Sequence, residues 1–343
     1  MKRVGNLYEN IYKYENIKSV FYEVCRNTKN KRKVNRFKEY RCINMFKIYD
    51  TLKAGQYIPG PYHVFTIYEP KKRRIVSQNM FDKMVNHLVA RYILFPAIMP
   101  CLIDTNVASR VNKGTNSGLK YHFSFRRICN IKFGDYYILK GDVKKFFASI
   151  NHDRLKEKLK RRIKDEKALK IVFDIIDSEK NGLGIGNMTS QILAIFYLND
   201  FDHFVKEDLK IKYYIRYQDD FLLFHEKKEY LKECLEEIAK YLKTEKLELN
   251  KKTRIYTSKS NFNFLGRNKF GRYAKYRLVK RKLKKRFYLY RNGEINLYSL
   301  SSSIDNFKRL GRIKMWKLNE GINKSIFAKQ VSNFQMVQIF WFI

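Results

Sequence analysis

Two aspartates stand side by side, Asp219 and Asp220, inside "YIRYQDDFLLF", Tyr214 to Phe224, a run that is otherwise aromatic and aliphatic apart from Arg216 and Gln218. Short apolar stretches on either side of a polar pair read as a β-hairpin with the aspartates at its turn. One home for such a pair is an ordinary surface turn. The other is a site, and a site must supply a counter-charge. At roughly 4 Å and an effective dielectric of about 20, adjacent carboxylates repel by on the order of 4 kcal/mol.

The elements around the pair constrain the fold further. "DYYILKGDV" reads as a buried strand ending in Asp142, and "NHDRLKEKLKRRI" as a helix with Asn151 as N-cap. "TSQILAIFYLNDFDHFVKEDL" predicts a second helix, and "EKKEYLKECLEEIAKYLK" a third whose apolar residues recur at helical spacing, with a strand near "RIYTS" after it. Strand, helix, helix, hairpin, helix, strand is the order of a split βαβ unit, an antiparallel sheet with helices on one face. Such a sheet brings Asp142 beside Asp219 and Asp220. Upstream, "YHVFTIYEPKKRRIVSQ", Tyr62 to Gln78, reads as another hairpin with a basic cluster. Downstream of Gly266 the chain turns basic and aromatic, and a boundary is expected near residue 270.

Charge indicates the partner. The 343 residues carry 72 Lys+Arg against 33 Asp+Glu, a net +39, which repels itself unless a polyanion neutralises it. Nucleic acid is the default and an acidic membrane surface the second choice; no basic amphipathic helix stands out as a membrane binder. "KRKLKKR" in the C-terminal part reads either as a solvated face or as a contact to phosphates. The 45% hydrophobic content, with 25 Tyr and 26 Phe, is that of a folded chain. Five cysteines without a CxxC pair argue against a zinc site or a disulfide framework and fit a reducing compartment. The basic N-terminus lacks the apolar core of a signal peptide. "NFQMVQIFWFI" is too short to span a bilayer; it docks on the core or marks a shortened or altered C-terminus.

Three carboxylates converging in a basic protein match what a two-metal phosphoryl-transfer site needs. Paired divalent ions require acidic oxygen ligands, and Mg2+ in particular favours oxygens and retains waters. The ions would be the missing counter-charge of the hairpin.

The blocks "LKGDVKKFFASI", "GLGIGNMTSQ", "RYQDDFLLF", "LELNKKTRI" and "FNFLGR" stand in the order and spacing of the motifs of reverse transcriptases, which the chain resembles from roughly Phe65 to Gly266. Within that superfamily "GIGNMTSQ", "IYEPKKRRIVSQNMFDKMVNHLV" and "ASRVNKGTNSG" are similar to the reverse transcriptases of diversity-generating retroelements. The resemblance implies an α+β right-hand polymerase. Residues 1–135 would be fingers with part of the palm, 136–270 a ferredoxin-like catalytic palm, and 271–343 a helical thumb.

It further implies that Asp142, Asp219 and Asp220, with the backbone of Val143, hold two Mg2+ ions, for which Mn2+ is a possible substitute. Phe147 matches the steric gate against a ribose 2'-OH; the competing reading is a core phenylalanine, for which Phe146 is the better candidate. Lys72 and Arg73, within the run Lys71 to Arg74, match residues that grip the triphosphate. Gly186 and Gln191, in the loop and first turn of a helix beginning near Ser190, would admit template and nucleotide. Lys252 matches a general acid to pyrophosphate, against the reading of one more surface lysine. Leu265 and Gly266 match the primer-grip turn.

The implied partners are an RNA template, a DNA or RNA primer, the cDNA product, deoxynucleotides and a small basic accessory protein, in the cytoplasm of a prokaryote or from a phage genome. Three departures from the pattern stand out. Ile185 replaces the usual side-chain amide, which predicts lower copying fidelity. Gln218 stands where a small or branched residue is usual. Phe81-Asp82-Lys83 replaces an Arg-Asp-Arg run. The rival readings are a reverse transcriptase of another lineage (retron, group II intron-like or phage-defence) and an inactive RNA-binding scaffold.

Overall fold

A computed structural model describes residues 3–67, 73–271, 276–295 and 299–300. The chain divides into two compact units, one of residues 1–65 with 75–265, the other of residues 66–74 with 266–343.

The first unit opens with helices α1 (Tyr14–Asn27), α2 (Lys31–Glu39) and α3 (Arg41–Lys53). In α1, Ile17, Val20, Phe21 and Val24 recur every three or four residues, so one stripe of the helix is buried and the rest is wet. Strands β1 (His63–Ile67) and β2 (Arg73–Ser77) pair as the hairpin expected from Tyr62 to Gln78; its tip lies outside the described residues. Helix α4 (Met80–Val89) starts at Asn79, whose side chain accepts from Asp82 N at 2.8 Å. It runs on through a π-turn into α5 (Phe95–Ile98). By length and composition the stretch Met80–Cys101 could cross a membrane, but 61% of its 18-residue apolar window is buried within the protein, the position of a core helix.

Helix α6 (Thr115–Phe133) leads to β3 (Tyr137–Gly141), then α7 (Phe146–Ser149), α8 (His152–Lys160) and α9 (Glu166–Asp177). Asn151 caps α8 as expected, accepting from Arg154 N at 3.1 Å. The predicted second helix is broken at Leu198 into α10 (Met188–Tyr197) and α11 (Asn199–His203), which ends in a π-turn. Strands β4 (Tyr213–Tyr217) and β5 (Asp220–His225) form the hairpin, α12 (Lys228–Thr244) follows, and β6 (Arg254–Thr257) closes the sheet.

The sheet order is β4-β5-β3-β6, with β3 antiparallel to both β5 and β6 and β4 antiparallel to β5. This is the split βαβ order, with one correction: helices cover both faces. Leu139, Tyr214, Phe221 and Leu223 point into the main core with Leu231, Cys234, Ile238 and Leu242 of α12. Ile138, Tyr213, Ile215, Leu222 and Phe224 point the other way, against Cys129 and Phe125 of α6 and against Phe262 and Phe264. Two-sided burial is why these strands read as continuous apolar runs instead of alternating ones.

In the second unit helix α13 (Tyr276–Arg291) carries the basic run; Arg281, Lys282, Lys284 and Lys285 are exposed while Leu283 is buried. Most of the expected thumb, residues 271–343, and the C-terminal apolar segment lie outside the described residues.

Candidate active site

Asp142 follows directly on β3, and two contacts fix it. Its main-chain carbonyl accepts from Asn250 N at 2.7 Å, and its Oδ2 accepts from Asn250 Nδ2 at 2.8 Å. Next to it, Val143 is buried and bridged to Leu249, while Lys144 N donates to Glu248 O at 2.8 Å. Residues 142–144 are therefore held by residues 248–250 as an antiparallel pair. Gly141 lets Phe221 lie flat on the strand, since a Cβ there would meet the ring at 2.1 Å.

The facing turn comes from the β4–β5 hairpin. Tyr217 pairs with Asp220, which leaves Gln218 and Asp219 as the two turn residues and makes Asp220 the first residue of β5. Asp219 faces Asp142 closely enough for the two carboxyls to interact. Partial burial, the charge of Asp142 and that of Asp220 together push its carboxyl up to about 7. Asp220 turns toward Lys140, whose Nζ is 3.5 Å from its Oδ1 and also donates to Asn263 O at 2.8 Å. The structure thus sets two of the three predicted carboxylates against each other and the third beside them, near a lysine. Among the described residues no group of three or more His, Cys, Asp or Glu side chains is arranged to hold an ion.

A buried ion pair supports the turn from behind. Arg216 and Asp202 are both fully buried: Arg216 Nη2 lies 2.5 Å from Asp202 Oδ2, and Nε donates to Oδ1 at 2.6 Å. Tyr214 OH (2.7 Å) and Asn106 Nδ2 (3.1 Å) donate to the same carboxylate. Arg216 Nη1 then reaches Gln218 O at 2.9 Å, so the pair holds the turn's backbone as well.

The other predicted residues are placed as follows. Phe146 is buried, while Phe147 is half-exposed and its carbonyl accepts from Leu183 N at 2.7 Å. Ile185 is half-buried and its carbonyl accepts from Val76 N of β2 at 2.9 Å. Gly186 has a φ of +133°, and a Cβ there would strike Val76 O at 2.2 Å; here glycine is required. Helix α10 begins at Met188, two residues before the expected start, so Gln191 sits at its fourth position, exposed, with Oε1 accepting from Ser109 Oγ at 3.2 Å.

Lys252 is exposed in the turn after Asn250, its amide donating to Asn250 Oδ1 at 3.1 Å. Leu265 (φ 49°) and Gly266 (φ 79°) take the left-handed backbone of a tight turn. Arg73 begins β2, exposed, and Lys72 lies outside the described residues. Asn250, Lys140, Asp202, Arg216 and Ser109 escaped the sequence reading. All five sit inside stretches quoted above, but their partners lie elsewhere in the chain and no local pattern marks them.

The family described as reverse transcriptase (RNA-dependent DNA polymerase) matches residues 66–268. A 91 kDa protein of the cob intron of Schizosaccharomyces pombe is 27% identical over 184 residues, 49% of this chain and 21% of that protein. The group II intron-encoded protein LtrA of Lactococcus lactis is 28% identical over 181 residues, 49% of this chain and 29% of its own length. The chain therefore spans under a third of the curated relatives it matches. A Candida tropicalis telomerase structure is similar at 16% identity and a TM-score of 0.49, covering 62% of this chain and 53% of that one. The family match spans more than half of the chain and contains the carboxylates that meet across the sheet, in an α+β fold of the right-hand polymerase type. On those grounds the chain belongs to the reverse transcriptase family.

Proposed function

We propose that the chain is an RNA-directed DNA polymerase that copies an RNA template into cDNA from a DNA or RNA primer. The carrying observation is the close approach of Asp142 and Asp219, with Asp220 beside them, in a protein of net charge +39. The donor set is hard oxygen, and burial together with the charges of Asp142 and Asp220 pushes Asp219 up to about 7. That chemistry fits divalent ions such as Mg2+, with Mn2+ as a substitute. Asp142, Asp219 and Asp220, with the backbone of Val143, would hold them, and once bound they supply charge stabilisation at the reacting phosphate.

In the reaction the primer 3'-oxygen forms a bond to the α-phosphorus of a deoxynucleotide, and the bond to pyrophosphate breaks. Asn250 keeps Asp142 oriented. Lys252, on the solvent side of the same turn, is the proposed donor of a proton to pyrophosphate. Phe147 excludes a 2'-OH, Lys72 and Arg73 grip the triphosphate, Gly186 and Gln191 admit the template, and Leu265 with Gly266 seats the primer. Residues 1–135 then serve as fingers with part of the palm, 136–270 as palm and 271–343 as thumb. The enzyme acts in the cytoplasm of a prokaryotic or phage-infected cell.

For the biological role we favour error-prone copying of the template repeat of a diversity-generating retroelement, aided by a small basic accessory protein. The pattern Ile185-Gly186 with Ser190-Gln191 supports it. The similarity to intron-encoded proteins supports the second reading, a group II intron-like enzyme. Sequencing the cDNA made by wild type and by Ile185→Gln separates the two. The retroelement reading expects wild-type errors concentrated at template adenines, and about ten- to hundred-fold fewer of them in Ile185→Gln, where the side-chain amide is restored. Even, low error rates in both proteins favour the intron-like lineage.

A further inference from the structure

Gln218, the turn residue that departs from the family pattern, is tied to an element far away in the sequence. Its Nε2 donates to Ser109 Oγ at 2.9 Å, and the same hydroxyl donates onward to Gln191 Oε1 at 3.2 Å. One hydroxyl thus joins the aspartate turn to α10, using its acceptor and donor capacities together. The loop that carries Ser109 is itself docked along β4, with Arg216 N donating to Thr105 O and Val107 N donating to Arg216 O, both at 3.1 Å.

Two further observations set this bridge apart from ordinary packing. Ser109 and Gln218 both have left-handed backbone, φ 51° and 55°, a conformation unfavourable for residues other than glycine, and such residues cluster where a site must be held in one geometry. Gln218 Oε1 is buried without a hydrogen-bond partner, so an apolar side chain would suit a purely structural role better. The far end of the bridge is open: Ser109 and Gln191, with Arg91, Arg110 and Met188, line a cleft of about 360 Å³.

We propose that Ser109 is a positioning residue for nucleotide addition. By bridging Gln218 to Gln191 it locks the turn that carries Asp219 to α10, so that Asp219 keeps one position against Asp142 while the chain is extended. The inference rests on the polymerase reading above and adds a residue that acts through Gln218 without touching substrate.

Single-nucleotide addition by the full chain, on a DNA primer annealed to RNA, tests it in wild type, Ser109→Gly, Ser109→Asn, Gln218→Leu and the Ser109→Gly, Gln218→Leu double variant. Glycine removes the hydroxyl and relieves the left-handed backbone, so Ser109→Gly keeps its fold; asparagine tolerates the same backbone and restores a donor and an acceptor. The expected result is a kcat about ten-fold lower in Ser109→Gly and in Gln218→Leu. KM for the deoxynucleotide and the primer–template affinity should stay within about two-fold of wild type, with no drop in thermal midpoint. Ser109→Asn should recover rate, and the double variant should be no slower than either single one.

A Ser109→Gly rate within about two-fold of wild type overturns the proposal. So do single effects that multiply in the double variant, or rate losses that follow a lower thermal midpoint in both single variants. A wild type no faster than Asp219→Asn removes the polymerase reading, and this proposal with it.

Discussion

Asp202 and Asp219 lie on opposite sides of β4 in the sequence, and the fold treats their charges in opposite ways. Asp202 is fully buried and receives an arginine fork, a tyrosine hydroxyl and an asparagine amide. Asp219 is half-buried, faces Asp142, and has Asp220 as its sequence neighbour. One carboxylate is neutralised by the protein itself. The other is set against two further carboxylates, a crowding that a bound cation would relieve, and that distinguishes a structural carboxylate from one kept for chemistry.

Removing the internal counter-charge should give the largest effect. Arg216→Met leaves Asp202 buried and uncompensated, and urea unfolding should show a loss of about 3 to 5 kcal/mol; adding Asp202→Leu should recover most of it. A loss below about 1 kcal/mol would mean that the pair does not support the turn.

Asn250→Ala removes the donor that orients Asp142 and should cost about 1.5 to 3 kcal/mol, read as a ten- to hundred-fold lower kcat for primer extension. Unchanged kcat would assign Asn250 to the turn alone.

The next effect concerns pH and has a definite sign. The folded-state pKa of Asp219, about 7, lies above the ordinary carboxylate value, so the native state holds an extra proton between the two. Stability from this group is full below about pH 4 and is lost as pH rises through 7. In EDTA, Asp219→Asn should therefore be more stable than wild type at pH 8, by on the order of 1 to 2 kcal/mol after screening, and equal to it near pH 4. Equal stabilities at both pH values would place Asp219 apart from Asp142.

The smallest effect belongs to the partly exposed contact of Lys140 with Asp220. Lys140→Gln should change stability by less than about 1 kcal/mol. A larger loss would make Lys140 a full counter-charge and weaken the contrast with Asp202.

The sheet was legible in the sequence because its strands are apolar runs ended by turn residues, and the meeting of Asp142 with the hairpin followed from strand order alone. The cover on the second face was not: α6 ends just before β3 but fully buries only Gly118, His122 and Cys129, too few apolar residues to mark a stripe, and Phe262 comes from the irregular segment after β6. Asn151 as N-cap was readable locally, whereas the break at Leu198 was not, because Ile195, Phe196 and Phe201 continue the apolar stripe across it. The supporting polar contacts, Asn250 to Asp142 and Ser109 to Gln218, join residues more than a hundred positions apart, and one sequence has no local pattern that announces them.

Extension of a labelled DNA primer on an RNA template, with deoxynucleotides and Mg2+, measured side by side for wild type and Asp219→Asn, bears most directly on the account. Wild type should lengthen the primer, and the asparagine variant, folded and still able to bind the duplex, should be at least about a thousand-fold slower. Equal extension by the two proteins, or none by either, would contradict it.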